Sequence, residues 1–538
     1  MKARTMIAAL GALCLMGCNS GGGESGGGGN GTTTALAGKE DMPAPTCALS
    51  PADFKSWQNG ASTGLAFAPP DSAVFAAKNN CDFYKWSAQM FLWLTSTNAS
   101  GTLTMFSPSF YNAIESTSTG GFTLVQNHEG VGAAKVSSVV FLPRVNKPRL
   151  MRLRAPGAAK SSDATGQAGG GVLLVNGAPV SLPGKPGYAT YPVAYYAIQV
   201  NDVFAGLQAN QTTVPYYTSG ASAGDFPTTL PQAQEIQTAA GKTYGDINQL
   251  ALEVKSAWVE TAYLTPAQAS GLITLTAQVP AFTQSTDPKG NLLLSWDGKT
   301  TAARKIALVG MHVVGSVVGH PEMIWASFET NFNAPDNDYS FINQNFTPAT
   351  GKCASGSCLT SVPLSKSNMA PTIFYNGTAG APAPPFLIAQ TASSSNNNTT
   401  ITSVSPKLVP TNVVRMNPWG SQQPATPSLT NAVILNNTDL LSLKTTLQPQ
   451  LTAAGGPGAM LANYFLLGSL WSNGIIPPLT GSTQAGSLFL ANTTMETFQQ
   501  VSPQNHDPKA TAKNCFSCHG DFANVGTGVS HVFPNVTN

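Results

Sequence analysis

The sequence predicts an α+β protein: a β-rich central body with peripheral helices and a short C-terminal segment that differs from both. Three observations predict it. Phe83, Trp86, Met90, Trp93 and Leu94 recur at steps of three and four between Phe75 and Leu94, the spacing of an amphipathic helix. Short β-branched and apolar runs that alternate with period two recur through the middle of the chain, most clearly from Lys305 to Glu329. The last stretch, 486–538, reads as one helical piece followed by a cysteine motif.

The chain begins with an export signature. Lys2 and Arg4 precede a short apolar run through Ile7, Ala8, Leu10 and Leu13, too brief to span a bilayer. That run ends in Leu15-Met16-Gly17-Cys18, which resembles the lipobox of bacterial lipoproteins. The resemblance implies a signal peptide over 1–17, cleavage before Cys18 and a diacylglycerol on its thiol. Asn19 in place of Asp implies sorting to the outer membrane of a Gram-negative cell. Residues 18–45 then read as a flexible tether, because Gly21 to Gly29 is nearly all glycine. Some 20 such residues reach roughly 25 Å, and the lipid would do the anchoring.

Composition excludes some partners. Only 10% of the residues are charged and the net charge is +2, so there is no electrostatic footprint for nucleic acid. At 42% hydrophobic residues the chain can bury a large core, and no second apolar run reaches membrane-spanning length. Apart from Cys14, Cys18 and the C-terminal pair, four cysteines remain: Cys47, Cys81, Cys353 and Cys358. They allow three pairings. The local loop Cys353–Cys358 leaves Cys47 for Cys81, and both are expected as structural disulfides of an oxidising compartment.

The body, 46–485, is taken in order. After the aromatic helix, Asn98 to Gly101 is a stop, and Thr102 to Phe106, Val136 to Leu142 and Leu150 to Leu153 read as strands. Ala155 to Gly171 and Gln208 to Thr229 read as loops around a strand-rich stretch from Tyr191 to Ala205. Ile247 to Tyr263 alternates as a half-buried strand, with an amphipathic helix as the competing reading. Lys305 to Glu329 reads as two strands around a turn at His320-Pro321. His312 then lies within an apolar strand, either as a buried neutral imidazole or as a ligand. Asn376 to Ser405 reads as a loop, and 380–410 is a place where two subdomains would meet. Leu440 to Leu451, Ala459 to Trp471 and Ser487 to Gln500 read as helices.

The motif that carries chemistry is Lys513-Asn-Cys-Phe-Ser-Cys-His-Gly520. Cys515, Cys518 and His519 form C-x-x-C-H, the signature of covalent c-type haem attachment. Two thiols one helical turn apart can add to the two vinyl groups of one porphyrin, and the adjacent imidazole reaches the iron. Half a zinc site or a thioredoxin-like pair is less consistent, because no second pair of the same spacing and no βαβ pattern accompanies the motif. One haem c is therefore expected, with His519 as proximal ligand. Only 19 residues follow His519 and none is Met, which excludes the ordinary small cytochrome c layout. His531 is the leading distal candidate, with Gly526-Thr-Gly528 as the place where the chain doubles back. His312, His506, Met495 and an open position are the alternatives. Arg415 is either an exposed arginine or a partner for a haem propionate.

Leu308-Val-Gly-Met-His-Val-Val, Met323-Ile-Trp-Ala-Ser-Phe-Glu329, Asn492-Thr-Thr-Met-Glu496 and then Cys515-Phe-Ser-Cys-His519 together resemble a group of exported bacterial proteins described only as cytochrome c family proteins. The resemblance implies a histidine at the position of His312 and a Ser-His pair after the haem motif, here Ser530-His531. Gly315-Ser316 departs from the more basic turn expected there. The reading is a membrane-anchored monohaem c-type cytochrome lipoprotein exchanging electrons with a redox partner protein or small molecule in the periplasm or at the cell surface. A peroxidase-like haem oxidoreductase with a pocket near His312 is the alternative, and a binding lipoprotein with a structural haem is the third.

Overall fold

Residue pairing across adjacent strands decides where each chemical group of this protein sits, so the strands come first. The computed structural model describes residues 39–58, 66–98, 101–115, 121–128, 136–137, 194–281, 283–286, 292–296, 300–347, 349–354, 356–363, 372–374, 389–393, 399–403, 414–415, 417–476, 483–495, 515–519 and 525–536. The signal peptide, Cys18, the tether up to residue 38, the strand expected over 150–153, the loop over 155–171 and His506 lie outside the described residues, as does the side chain of Cys518.

In chain order the strands are β1 (Phe110–Glu115), β2 (Phe122–Gln126), β3 (Val136–Ser137), β4 (Ala194–Asn201), β5 (Leu252–Glu260), β6 (Thr274–Pro280), β7 (Thr283–Thr286), β8 (Leu292–Trp296), β9 (Thr301–Val317), β10 (His320–Thr330), β11 (Tyr339–Ile342), β12 (Phe346–Thr347), β13 (Lys352–Cys353), β14 (Leu359–Val362), β15 (Ala389–Ser393), β16 (Thr399–Ser403), β17 (Tyr464–Trp471) and β18 (Ala485–Gly486). The main sheet runs β18-β17-β10-β9-β5-β4-β1-β2, antiparallel at every step, with β6 on the first half of β9 and β3 beside β6. A smaller sheet, β15-β16-β8-β7, and two short pairs, β11-β14 and β12-β13, complete the described β-structure. The fold is α+β, with a large antiparallel sheet and peripheral helices.

Strands β9 and β10 form the expected hairpin, but its turn is Val318-Gly319, with Gly319 at φ +77°, and His320 opens the second strand instead of sitting in the turn. A register shift follows between His320 and Ile324, where Met323 takes a positive φ. The expected strand near residue 250 is β5. The run Tyr464–Trp471 is a strand and not a helix; all eight residues are buried, so it lacks the alternation that would have marked it. Thr104–Phe106 is a 3-10 turn and not a strand, 487–495 is not helical, and β15 and β16 lie within the stretch read as a loop. The helix Leu230–Ala240, capped by Thr229 and Gln232, was not anticipated.

The sheet has two differently built faces. On one, the aromatic helix Asn80–Thr95 starts at a capping box of Asn79 and Asp82 and buries its side chains against the strands. Phe91 stacks on Phe328 of β10 at 4.4 Å and Phe83 on Trp471 of β17 at 4.1 Å. Gly315 gives this helix room: a Cβ there would stand 3.0 Å from Trp86. The long helix Ala432–Ala454 packs alongside. On the other face, antiparallel pairing sets three rows side by side. They are Ala257, Gly310 and Glu329; Lys255, His312 and Ser327; and Glu253, Val314 and Trp325. Residues 492–494, 515–519 and 525–533 lie over these rows.

Candidate functional site

Cys515–His519 forms a single helical turn, which puts Cys515 and His519, four residues apart, on one side. The His519 ring is fixed from three directions. Its Nδ1 lies 2.7 Å from the Val529 carbonyl oxygen, which can only accept, so Nδ1 carries the proton and Nε2 is the edge with a lone pair. The His531 ring stacks on it nearly parallel, centroids 3.8 Å apart and planes 15° apart. Trp325 of β10 stands 4.2 Å from it at 49°, and Phe516 packs against Trp325 at 5.9 Å. Burial above all, then the charge of His531, with smaller contributions from Lys255 and His312, hold the His519 imidazole well below its ordinary pKa; the Val529 hydrogen bond opposes them.

The segment bearing His531 is docked by polar groups far away in sequence. Gly526 N donates to Asp225 Oδ1 at 2.7 Å, and Thr527 donates to the Gly224 carbonyl through its N at 3.1 Å and its Oγ1 at 2.8 Å. Gly526 must be glycine-sized, since a Cβ would meet Asp225 Oδ1 at 2.9 Å and the Pro321 carbonyl at 3.0 Å. Ser530 Oγ donates to Glu253 Oε2 at 2.6 Å and accepts from Val532 N and Phe533 N, each at 3.0 Å. Phe533 plugs a pocket between Phe204 and Phe226, both edge-on at 5.4 Å. The chain does turn back at Gly526–Val529, as Gly526-Thr-Gly528 led us to expect.

The sequence-predicted distal candidate His531 is thus brought beside His519, its ring parallel to that of His519 with centroids 3.8 Å apart. His312 sits on the sheet floor, directly paired with Lys255 on β5 and Ser327 on β10, one row from Trp325. Lys255 Nζ lies 5.7 Å from the Tyr196 ring centroid. Asn492 Nδ2 donates to Ser327 Oγ at 3.0 Å, and Thr493 N donates to Glu329 Oε1 at 2.6 Å, so residues 492–494 cover the neighbouring row. Met495 is fully buried.

Arg415 is neither exposed nor turned to this site. It is 3% exposed, bonded to Glu329 at 3.0 Å and Asp336 at 2.6 Å, and spoken for by those carboxylates. The disulfides are Cys47–Cys81, with an S–S length of 2.02 Å, and Cys353–Cys358. They are the pairings expected, and they fit an oxidising, extracytoplasmic compartment. Among the described residues no helix is long and apolar enough to cross a membrane, and no set of three or more His, Cys, Asp or Glu side chains converges to hold a metal ion by itself. Sequence reasoning missed Trp325, Asp225 and Glu253. Trp325 was visible as one face of a strand, but only the register aims it at His519; Asp225 carried no local signal.

The residues present fit a covalently attached haem on three counts: an imidazole with its Nδ1 proton committed to a carbonyl and its Nε2 available, a thiol one turn before it, and aromatic walls in Trp325 and Phe516. No family model matches the chain, and neither the curated proteins nor the solved structures yield a match.

Proposed function

We propose that this chain is a monohaem c-type cytochrome lipoprotein, held to the membrane by a lipid on Cys18, which exchanges electrons with a redox partner outside the cytoplasm. The observation that carries the reading is His519 within C-x-x-C-H, its Nδ1–H on the Val529 carbonyl and its Nε2 left for iron. A bound haem supplies a one-electron centre whose potential depends on its ligands, hydrogen bonding and burial. The chain's residues do the rest. Val529 fixes the tautomer and angle of His519, while Trp325 and Phe516 exclude water beside it. Asp225, Gly224 and Glu253 hold the turn that carries Val529 against the sheet. Mounting on a broad antiparallel sheet keeps these groups still, which lowers the reorganisation that electron transfer requires.

The test is expression with periplasmic maturation, followed by haem staining of the denatured protein. The wild type retains haem through denaturation, and Cys515→Ala with Cys518→Ala loses all of it. A wild-type protein that matures without covalent haem would end this reading.

A further inference from the structure

We infer that the cleft at the start of the aromatic helix binds a small zwitterion, a free α-amino acid or short peptide carrying both an ammonium and a carboxylate. The cleft has a volume of about 400 Å³ and lies between the short helix Pro51–Trp57, the segment 70–76 and the helix Asn80–Thr95, on the helix side of the sheet. That volume is within the range of about 300–1,000 Å³ typical of small-molecule sites. Both helices turn a chemical face to it. Asp53 and Trp57 stand four residues apart on the first, and Asp82, Lys85, Trp86 and Gln89 follow at steps of three and four on the second. The Cys47–Cys81 disulfide ties the chain just before the first helix to the first turn of the second, so the two walls are held together.

Most polar groups around the cleft are already committed. Asp71 accepts from Ala73 N at 3.1 Å and from Asn248 Nδ2 at 2.9 Å. Asp82 Oδ2 accepts from Lys78 N at 2.7 Å and Asn79 N at 3.3 Å, at the cap of its helix. Trp86 Nε1 donates to Ser72 Oγ at 3.1 Å, and Gln89 Nε2 to the Ala68 carbonyl at 3.0 Å. Three groups are different. The Asp53 carboxylate, the Lys85 ammonium and the Trp57 indole N–H have no hydrogen-bond or ion-pair partner among the described residues, although Lys85 is partly buried and Trp57 is only 7% exposed. A nearly buried donor without an acceptor is costly, and a ligand atom in the cleft relieves that cost. Opposite charges that line one cleft without pairing call for a ligand that bridges them. An organic cation would answer Asp53 but oppose Lys85, an anion would do the reverse, and a neutral sugar would neutralise neither. A zwitterion answers all three groups: its ammonium meets Asp53, and its carboxylate meets Lys85 and the Trp57 N–H. Leu49 and Phe75, also on the wall, offer apolar surface to a side chain.

The experiment is isothermal titration of the full-length matured protein with the common amino acids and with dialanine and trialanine, each also with its amine acetylated or its carboxyl amidated. At least one free zwitterion is expected to bind, one per chain, and blocking either end should weaken it roughly tenfold or more. Asp53→Asn and Lys85→Met should each weaken binding by a similar factor. Trp57→Phe, which keeps an aromatic ring and loses the N–H, should weaken it about threefold. The urea midpoints of the two charge variants should stay close to the wild-type value, which separates loss of the site from loss of the fold. The inference is overturned if none of the zwitterions binds, if the blocked forms bind as tightly as the free ones, if both charge variants bind like the wild type, or if putrescine or glucose binds more tightly than every zwitterion. None of these outcomes depends on covalent haem, so the result stands apart from the haem reading.

Discussion

The two faces of the main sheet are held by different physics. On the helix side, Asn80–Thr95 lays Phe83 on Trp471 and Phe91 on Phe328, and stability comes from buried aromatic area. On the C-terminal side, Gly526–Val529 and Phe533–Asn535 are short turns held by hydrogen bonds to Gly224, Asp225 and Glu253 and by the buried side chains of Val529, Val532 and Phe533. A net hydrogen bond contributes about 1 kcal/mol, whereas a buried aromatic ring contributes several. The larger apolar share lies on the helix face, so the C-terminal segment is expected to dock on a body that holds together without it. That order would suit the haem attachment proposed for Cys515 and Cys518, within the last 24 residues.

The largest effect expected from this contrast is on the helix face. Phe91→Ala removes the stack on Phe328 and a contact with Tyr464, and should cost about 3–5 kcal/mol. The urea midpoint should fall with an unchanged slope, while the absorption spectrum of the proposed haem stays as it was in the folded fraction. A changed spectrum at an unchanged midpoint would mean that the helix face shapes the surroundings of His519, and the division between faces would be lost.

The same contrast explains what the sequence could tell. The aromatic helix was legible because Phe83, Trp86, Met90 and Trp93 are packed by a local period, and the hairpin β9–β10 because its alternation survives in the sequence. Tyr464–Trp471 misled because a strand buried on both faces reads as a uniform apolar run. At the site, C-x-x-C-H is local chemistry and could be read directly. The contact of Trp325 with His519 depends on register, and the grip of Asp225 on Gly526 joins residues 301 positions apart, which no spacing encodes. Arg415 misled for the same reason: Glu329 and Asp336, which bury it, lie far upstream.

A smaller effect distinguishes the faces by pH. Lys444, on the helix Ala432–Ala454, holds its ammonium 4.4 Å from the Phe465 ring centroid, and burial first, then Arg415, lower its pKa to about 8 against the opposing pull of Asp336. The ordinary value is 10.5, so below pH 8 both the folded and the unfolded chain carry the proton and the full cost is present. Between about 8 and 10.5 the unfolded chain binds more protons, and this contribution makes stability rise with pH. Lys444→Met should add about 1–2 kcal/mol near neutral pH, after loss of the cation–π contact, and flatten that rise. Urea midpoints on both sides of the window check it; a wild type without the rise would show that Lys444 is charged at no cost.

The smallest effect lies on the C-terminal face. Ser530→Ala deletes the bond to Glu253 and the caps on Val532 N and Phe533 N, three contacts of one hydroxyl. If the segment docks on a body that is already folded, the loss should be local, about 1 kcal/mol. Amide exchange over residues 526–536 should speed up roughly fivefold, while the amides of β9 and β10 keep the wild-type rate. Glu253→Gln keeps an acceptor for Ser530 and should fall between the two proteins. If Ser530→Ala accelerated exchange throughout the sheet instead, the turns over His519 would belong to the cooperative core, and the C-terminal segment would fold with the body and not onto it.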